Sequence, residues 1–405
     1  MSDERDTQFY VDLEDLYGAA NYHPLDVVLT RGKGIWLWDV EGKKYLDFLS
    51  GYSAVNHGHC HPRIQKVLIE QAKRLTLTSR AFRNDQWAML TKEICSFSGY
   101  QMVLPMNSGA EAVETAIKAA RLWGYQEKGI PENQAEIIVC ENNFHGRTTT
   151  IISFSSEPHY RRDFGPFTPG FVIVPFGEIA ALEAAITPNT AAFIVEPIQA
   201  EAGVLFPPPG FLKKAKALRK ENHVLFTADE IQTGLGRTGK MFNCEYEGLV
   251  PDIMVIGKSL GGGFYPISAV LSRREILGLF TAGSHGSTFS ANPLGSAAAR
   301  EALRVLQEDG MVEIAAELGE YFLKKLNSLK NRNIRAVRGK GLLLGVELRP
   351  EAGGARRYCE ALAQEGLLCK ETHENVVRFM PPLIIKKRDL DWAFKRIKKV
   401  FKELE

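Results

Sequence analysis

The sequence predicts an α/β fold: a large domain with a mostly parallel central sheet, a smaller α+β C-terminal domain, and an N-terminal arm. Three observations carry this. Five runs in the middle of the chain, EIIVC (136–140), FVIVP (171–175), AAFIVEP (191–197), VLFTADE (224–230) and DIMVIGK (252–258), are mostly apolar rather than alternating. Strands covered on both faces have that pattern. The stretches between them are long enough for helical crossovers, which are nearly always right-handed. From about Leu294 the pattern changes to a long helix followed by shorter strands.

The elements follow in order. The first 50 residues contain IWLWDVEGKKYLDF with Gly42 at a turn, read as an arm plus hairpin (1–52). Ile64, Val67, Leu68 and Leu75 follow Pro62 on one helical stripe, and Val113, Ile117 and Ala120 form another after Gly109. These helices and the five strands make up the large domain, 53–293. The small domain, 294–405, has a helix at 294–308, strands in GLLLGVEL (341–348) and VVRFMPP (376–382), and a closing helix at 389–404. The basic run KKRDLDWAFKRIKK is the solvated face of that last helix, with Leu390, Trp392, Ile397 and Phe401 on its apolar face.

Composition narrows the function classes. The chain has 405 residues, 45% hydrophobic and 24% charged, which excludes disorder, collagen and coiled coil. Lys plus Arg number 50 and Asp plus Glu 48, a net +2 that favours neither nucleic acid nor an anionic membrane as partner. No run approaches the ~18 apolar residues of a membrane span. The six cysteines form no Cys-x-x-Cys pair, and MSDERDTQ resembles neither a secretory nor a transit leader, so a cytoplasmic protein with reduced thiols is expected. His57, His59 and His61 alternate along an extended segment without further spaced ligands, so no metal is expected. LGRTG and Gly261–Gly263 lack the spacing of a nucleotide fingerprint.

Chemistry in an open α/β sheet collects at the carboxyl ends of strands. There DIMVIG leads into Lys258, VLFTAD ends in Asp229 with Gln232 beyond, and FIVEPIQAEAG carries Glu196, Gln199 and Glu201. Lys258 is either a lysine leaving a strand into solvent or a desolvated Schiff-base amine. Asp229 is either a strand-end cap or the partner of a protonated pyridine nitrogen. In MNSGAEAVETAIKAAR, Ser108, Gly109 and Ala110 open a helix, which suits a phosphate and equally a capping box with Glu111. In NNFHGRT, Phe144 is either core or a lid on a flat ring, and Arg147 either a surface residue or a carboxylate clamp.

These features occur in one order along the chain, together with YGAANYHPLDVVLTRGKGIWLWDVEG, SAVNHGHCHP, TLTSRAF, LFTADEIQTGLGRTG, HGSTF and VRGKGLL. On these segments the sequence resembles the class III, pyridoxal-phosphate-dependent aminotransferases of fold type I, from about Tyr17 to the C-terminal helix. The resemblance implies pyridoxal 5'-phosphate as cofactor, with catalytic roles for Lys258, the attachment lysine and proton shuttle, and for Asp229, the pyridinium partner. It implies Gln232 as donor to the phenolic oxygen, Phe144 as the stacking ring, and Ser108, Gly109 and Ala110 as the phosphate cup. Thr288, in HGSTF, would reach the phosphate of a neighbouring subunit, so a homodimer with shared active sites is implied. For substrate it implies Arg147 as the α-carboxylate clamp, Tyr22 at the α-amino end, Tyr52 lining the pocket, and Arg378 as the 2-oxoglutarate site gated by Glu201. The activity implied is ping-pong transfer of the δ-amino group of L-ornithine to 2-oxoglutarate, giving glutamate-5-semialdehyde and glutamate. The alternative is another ω-amino substrate: acetylornithine, 4-aminobutyrate or a lysine-type compound. The chain departs from the family at Ala200, Ser290 and Ala291, where glycines are common, and at Met380, where a small residue is frequent. Ala for Gly at a positive φ would cost about 1 kcal/mol, and Met380 would narrow the 2-oxoglutarate site.

Overall fold

The computed structural model describes residues 6–405; the first five residues of the expected arm and of MSDERDTQ lie outside the described residues. A seven-stranded sheet forms the centre, in the order Met102–Met106, Ser268–Ser272, Ile253–Ile256, Leu225–Asp229, Thr190–Val195, Glu136–Cys140, Phe171–Val174. The five strands read from the sequence run parallel and adjacent. Thr190–Val195 and Leu225–Asp229 are buried at every position, which is why their sequences do not alternate. Ser268–Ser272 and Met102–Met106 complete the sheet at one edge; Ser268–Ser272 runs antiparallel to both its neighbours.

The helix Gly109–Gln126 covers one face, with Val113, Ile117 and Ala120 buried on its inner side as expected. The helix Pro62–Ala72 buries Ile64, but it ends before Leu75, which is exposed. The expected stripe is therefore one residue too long. Gln71 closes the terminus by donating from its amide to the Leu75 carbonyl at 2.8 Å.

The N-terminal hairpin is as read: Trp36–Asp39 pairs antiparallel with Lys44–Asp47 around Gly42 at φ +82°. It belongs to a four-stranded sheet whose last strand is Leu367–Leu368, far along the chain. A third sheet, in the order Ile334–Lys340, Leu343–Leu348, Val376–Phe379, Lys370–Thr372, is covered by the helices Met311–Asn327 and Arg356–Gln364, and against these packs the closing helix Lys387–Glu403. In the last of these Leu390, Ile397 and Phe401 are fully buried and Trp392 is partly buried. One extended apolar core joins these elements to the helix Pro293–Glu308.

Candidate active site

Four elements deliver charged side chains to one place. The parallel strands end side by side; Asp229 closes its strand, Glu196 and Lys258 lie just beyond theirs, and Phe144 and His145 are on the loop after Glu136–Cys140. A cavity of about 210 Å³ opens among them, lined by Gly109, Ala110, Phe144, Asp229, Gln232 and Lys258 together with His145, Glu196 and Ile231. Six of the eight residues expected to hold the cofactor thus meet in one cavity.

Lys258 is held at φ +44°, a left-handed backbone unusual for a lysine, at the start of a short 3-10 turn. Burial lowers the pKa of its amine, against the opposing charges of Glu201 and Asp229. An amine that spends more time neutral is one that can act as a nucleophile.

Asp229 is 5% exposed. One of its oxygens meets His145 Nδ1 at 2.7 Å, and the other accepts the Ile231 N–H at 3.0 Å. Burial alone would lower His145, but the bond and charge of Asp229 prevail and raise it. Glu196 stands beside this pair and accepts the Phe144 N–H at 2.9 Å. Burial pushes its carboxyl up to about 8, with the Asp229 charge adding and His145 opposing.

At the cup, Ser108 caps the helix Gly109–Gln126 and the capping box is complete: its hydroxyl accepts the Glu111 N–H at 3.2 Å, and its own N–H donates to Glu111 Oε2 at 2.8 Å. The capping reading is thus realised at Ser108. Gly109 and Ala110 are the residues that line the cavity, and first-turn N–H groups have no acceptor within a helix. Gly146, at φ +130°, lies so close that a Cβ there would meet Ala110 Cβ at 2.8 Å.

A second, open cavity of about 640 Å³ adjoins, with Tyr52, Glu201 and Arg378 in its wall. Arg378 is 1% exposed and donates from one terminal nitrogen to Glu201 Oε1 at 2.8 Å and to the Ala200 carbonyl at 3.2 Å. Its Nε has no partner among the described residues. Glu201 would be raised by burial, but Arg378 first and then Lys258 hold it below the usual carboxylate range. It also accepts from Gln232 Nε2 at 3.1 Å, while the buried Gln232 Oε1 has no partner among the described residues. Tyr52, at φ +58°, presents its ring 5.0 Å from the Arg378 guanidinium carbon. Arg147 sits against three rings, with its guanidinium carbon 4.5 Å from Tyr160, 5.7 Å from Tyr22 and 5.8 Å from Phe144.

Thr288 is exposed on the 281–292 loop and does not line its own chain's cavity. Of the substitutions noted in the sequence, Ala291 does take a positive φ, +58°, whereas Ala200 and Ser290 do not. Met380 packs with Ile198, Val204 and Leu343 in an apolar cluster; it fills core and does not narrow the pocket. The three histidines go to separate partners: His57 to the Ala302 carbonyl, His59 to Asp47 and His61 to Asp309. His145 and Tyr160 carry no expectation from sequence. His145 stands between Phe144 and Arg147 in NNFHGRT, and that adjacency was the available signal.

The family model for class III aminotransferases matches residues 17–401. The chain is a class III aminotransferase. It is 58% identical over 391 residues to the ornithine aminotransferase of Geobacillus sp. (strain WCH70), covering 96% of this chain and 98% of that protein. To the ornithine aminotransferase of Bacillus subtilis (strain 168) it is 55% identical, with 97% of each chain covered. Among solved structures, the ornithine aminotransferase of Toxoplasma gondii superposes with a TM-score of 0.98 at 43% identity over 99% of this chain and 95% of that one. The acetylornithine aminotransferase of Elizabethkingia anophelis gives 0.89 at 48% identity over 98% and 99%.

Class III aminotransferases depend on pyridoxal phosphate. The residues of this aminotransferase fit that group: a lysine with a depressed pKa, a buried acid for a ring nitrogen, an aromatic wall, and a helix N-terminus for a phosphate, all on one cavity.

Proposed function

We propose that this class III aminotransferase transfers the δ-amino group of L-ornithine to 2-oxoglutarate in a ping-pong cycle, yielding glutamate-5-semialdehyde and glutamate. The observation that carries the reading is the Arg378–Glu201 pair in the wall beside Lys258. One pocket must accept a cationic donor and then a dianionic acceptor. An arginine neutralised by a movable carboxylate suits both: paired, it presents no net charge to ornithine; released, it offers a bidentate site to a carboxylate.

When bound, pyridoxal phosphate supplies an electron sink for the carbon that loses its proton. The chain's residues do the rest. Lys258 holds the cofactor and carries the proton at its Nζ. Asp229, fixed by His145 and the Ile231 N–H, would face the ring nitrogen. Phe144 would cover the ring, Ser108, Gly109 and Ala110 would hold the phosphate, and Gln232 would donate to the phenolic oxygen. Arg147 clamps the α-carboxylate of ornithine, Tyr22 meets its α-amino group, and Tyr52 fills the space beside Arg378.

The active unit is a homodimer in which Thr288 completes the partner's phosphate site. Support comes from the exposure of Thr288 and Phe289 and of Phe9, Leu13, Leu16 and Tyr17 on a helix, Thr7–Tyr17, with no buried residue. The arm (1–52), large domain (53–293) and small domain (294–405) are its working parts. Among the described residues no helix is long and apolar enough to cross a membrane, and the six unpaired cysteines suit the cytoplasm.

A second reading, acetylornithine as donor, is favoured by the 48% identity to the Elizabethkingia enzyme. A donor panel decides between the two. With 2-oxoglutarate saturating, ornithine is expected to give the highest kcat/KM among ornithine, acetylornithine, 4-aminobutyrate and lysine; faster turnover of acetylornithine would overturn the proposal.

A further inference from the structure

Tyr22 lies on an exposed stretch just ahead of Leu25 and Val27, the first residues after it that pack against the core. Residues 19–28 form neither helix nor strand, and Asn21 to Pro24 are all exposed. The helix before them, Thr7–Tyr17, buries nothing. Its backbone hydrogen bonds are local, from Asn21 N–H to the Ala19 carbonyl and from Val27 N–H to that of Leu25, until the Val28 carbonyl accepts from Val40 N–H at 2.9 Å. Yet the Tyr22 ring stands 5.7 Å from the guanidinium carbon of Arg147, while the other two rings around Arg147 come from the large domain.

Two cations of the C-terminal region supply the polar hold on the exposed residues themselves. Arg356, at the start of the helix Arg356–Gln364, donates to the His23 carbonyl at 2.8 Å and to the Pro24 carbonyl at 2.5 Å. Lys370, on the strand beside the one carrying Arg378, donates to the His23 carbonyl at 3.0 Å. Among the described residues these are the hydrogen bonds that tie 18–24 to the body. The anchor is itself braced: Glu371 takes Lys370 at 2.6 Å and Arg356 at 3.5 Å, and Glu360 takes Arg356 at 2.7 Å. A charged donor on a carbonyl is among the stronger hydrogen bonds. Pro24 stiffens the point of attachment, since its ring limits both its own backbone and that of His23. Tyr22 is one residue from the clamped carbonyl.

We infer that Arg356 and Lys370 are positioning residues for donor recognition: by gripping the His23 and Pro24 carbonyls they hold the Tyr22 hydroxyl at the α-amino end of the substrate. The inference rests on the ornithine reading above. It assigns a specificity role to side chains that line no part of the cofactor cavity.

The test compares ornithine with 5-aminopentanoate, which has the same chain, ω-amino group and carboxylate but no α-amino group. In the cofactor-loaded enzyme, Arg356→Gln and the double variant Arg356→Gln/Lys370→Gln are expected to raise KM for ornithine about tenfold. KM for 5-aminopentanoate and for 2-oxoglutarate, and kcat, are expected to stay within about twofold. Arg356→Lys, which restores one donor, is expected to recover part of the loss. Tyr22→Phe in the same assay should reproduce the ornithine effect and add nothing to the double variant. Equal losses for both donors, or a fall in kcat with KM unchanged, would mean a merely structural role and overturn the inference. So would wild-type kinetics in the double variant. Failure of the wild-type enzyme to use ornithine would instead overturn the reading on which it rests.

Discussion

Replacing Glu201 by glutamine removes one charge from a pair whose arginine is buried and whose glutamate is partly exposed, and changes little else. Arg378 is 1% exposed and gives two hydrogen bonds, at 2.8 Å to Glu201 and 3.2 Å to the Ala200 carbonyl. Glutamine keeps an oxygen for the first, so the fold should persist, while the bond falls from the charged class, about 1.5–3 kcal/mol, to the neutral class, about 0.5–1.5 kcal/mol. The difference, about 1–1.5 kcal/mol, is close to a factor of ten. An incoming dicarboxylate no longer displaces a carboxylate from Arg378, so the half-reaction with 2-oxoglutarate should reach half-saturation at about tenfold lower concentration. The half-reaction with ornithine should lose about tenfold in kcat/KM, because the arginine then presents an uncompensated charge to a cationic donor. Rapid-mixing absorbance of the cofactor-loaded enzyme measures each half-reaction separately. If both move in the same direction by similar factors, the glutamate is not a gate and the reasoning fails.

Lys258→Ala should abolish multiple turnovers and remove the borohydride-trapped cofactor adduct, with the circular dichroism spectrum unchanged; retained turnover would contradict the assignment. Glu196 has its carboxyl pushed up by burial from 4.5 to about 8, so between those values the folded protein keeps a proton that the unfolded chain has lost. Its contribution to stability therefore falls as pH rises through that window, by at most about 1.4 kcal/mol per pH unit. Glu196→Gln should flatten the pH dependence of urea denaturation between pH 5 and 8; a slope as steep as the wild type's would refute this. Ser108→Ala should cost about 1 kcal/mol by removing the helix cap, read as a lower Tm. Gly146→Ala places a Cβ 2.8 Å from that of Ala110 at a φ of +130° and should weaken cofactor retention on dilution, seen as faster loss of bound-cofactor absorbance.

How much was legible depends on whether the signal was local. The parallel strands could be read because burial on both faces writes continuous apolar runs, as in Thr190–Val195. Met102–Met106 escaped because it is only half-buried along most of its length and contains a proline. Ser268–Ser272 is buried throughout but begins and ends in serine, which a hydropathy pattern reads as turn. Lys258 and Asp229 announce themselves as charges at the carboxyl ends of buried strands. His145 does not, since its importance lies in a 2.7 Å bond to a residue 84 positions away. The Arg378–Glu201 pair spans 177 positions and came only through family resemblance. The anchor from Arg356 to Pro24, 332 positions apart, carries no sequence signal at all, because carbonyl acceptors leave no trace in residue type.

The central claim is that nitrogen leaves from the far end of ornithine. Ornithine labelled with ¹⁵N at the δ position, incubated with the enzyme and 2-oxoglutarate, should yield glutamate carrying the label, while α-labelled ornithine should give unlabelled glutamate and a labelled semialdehyde. Label passing to glutamate from the α position would contradict the account.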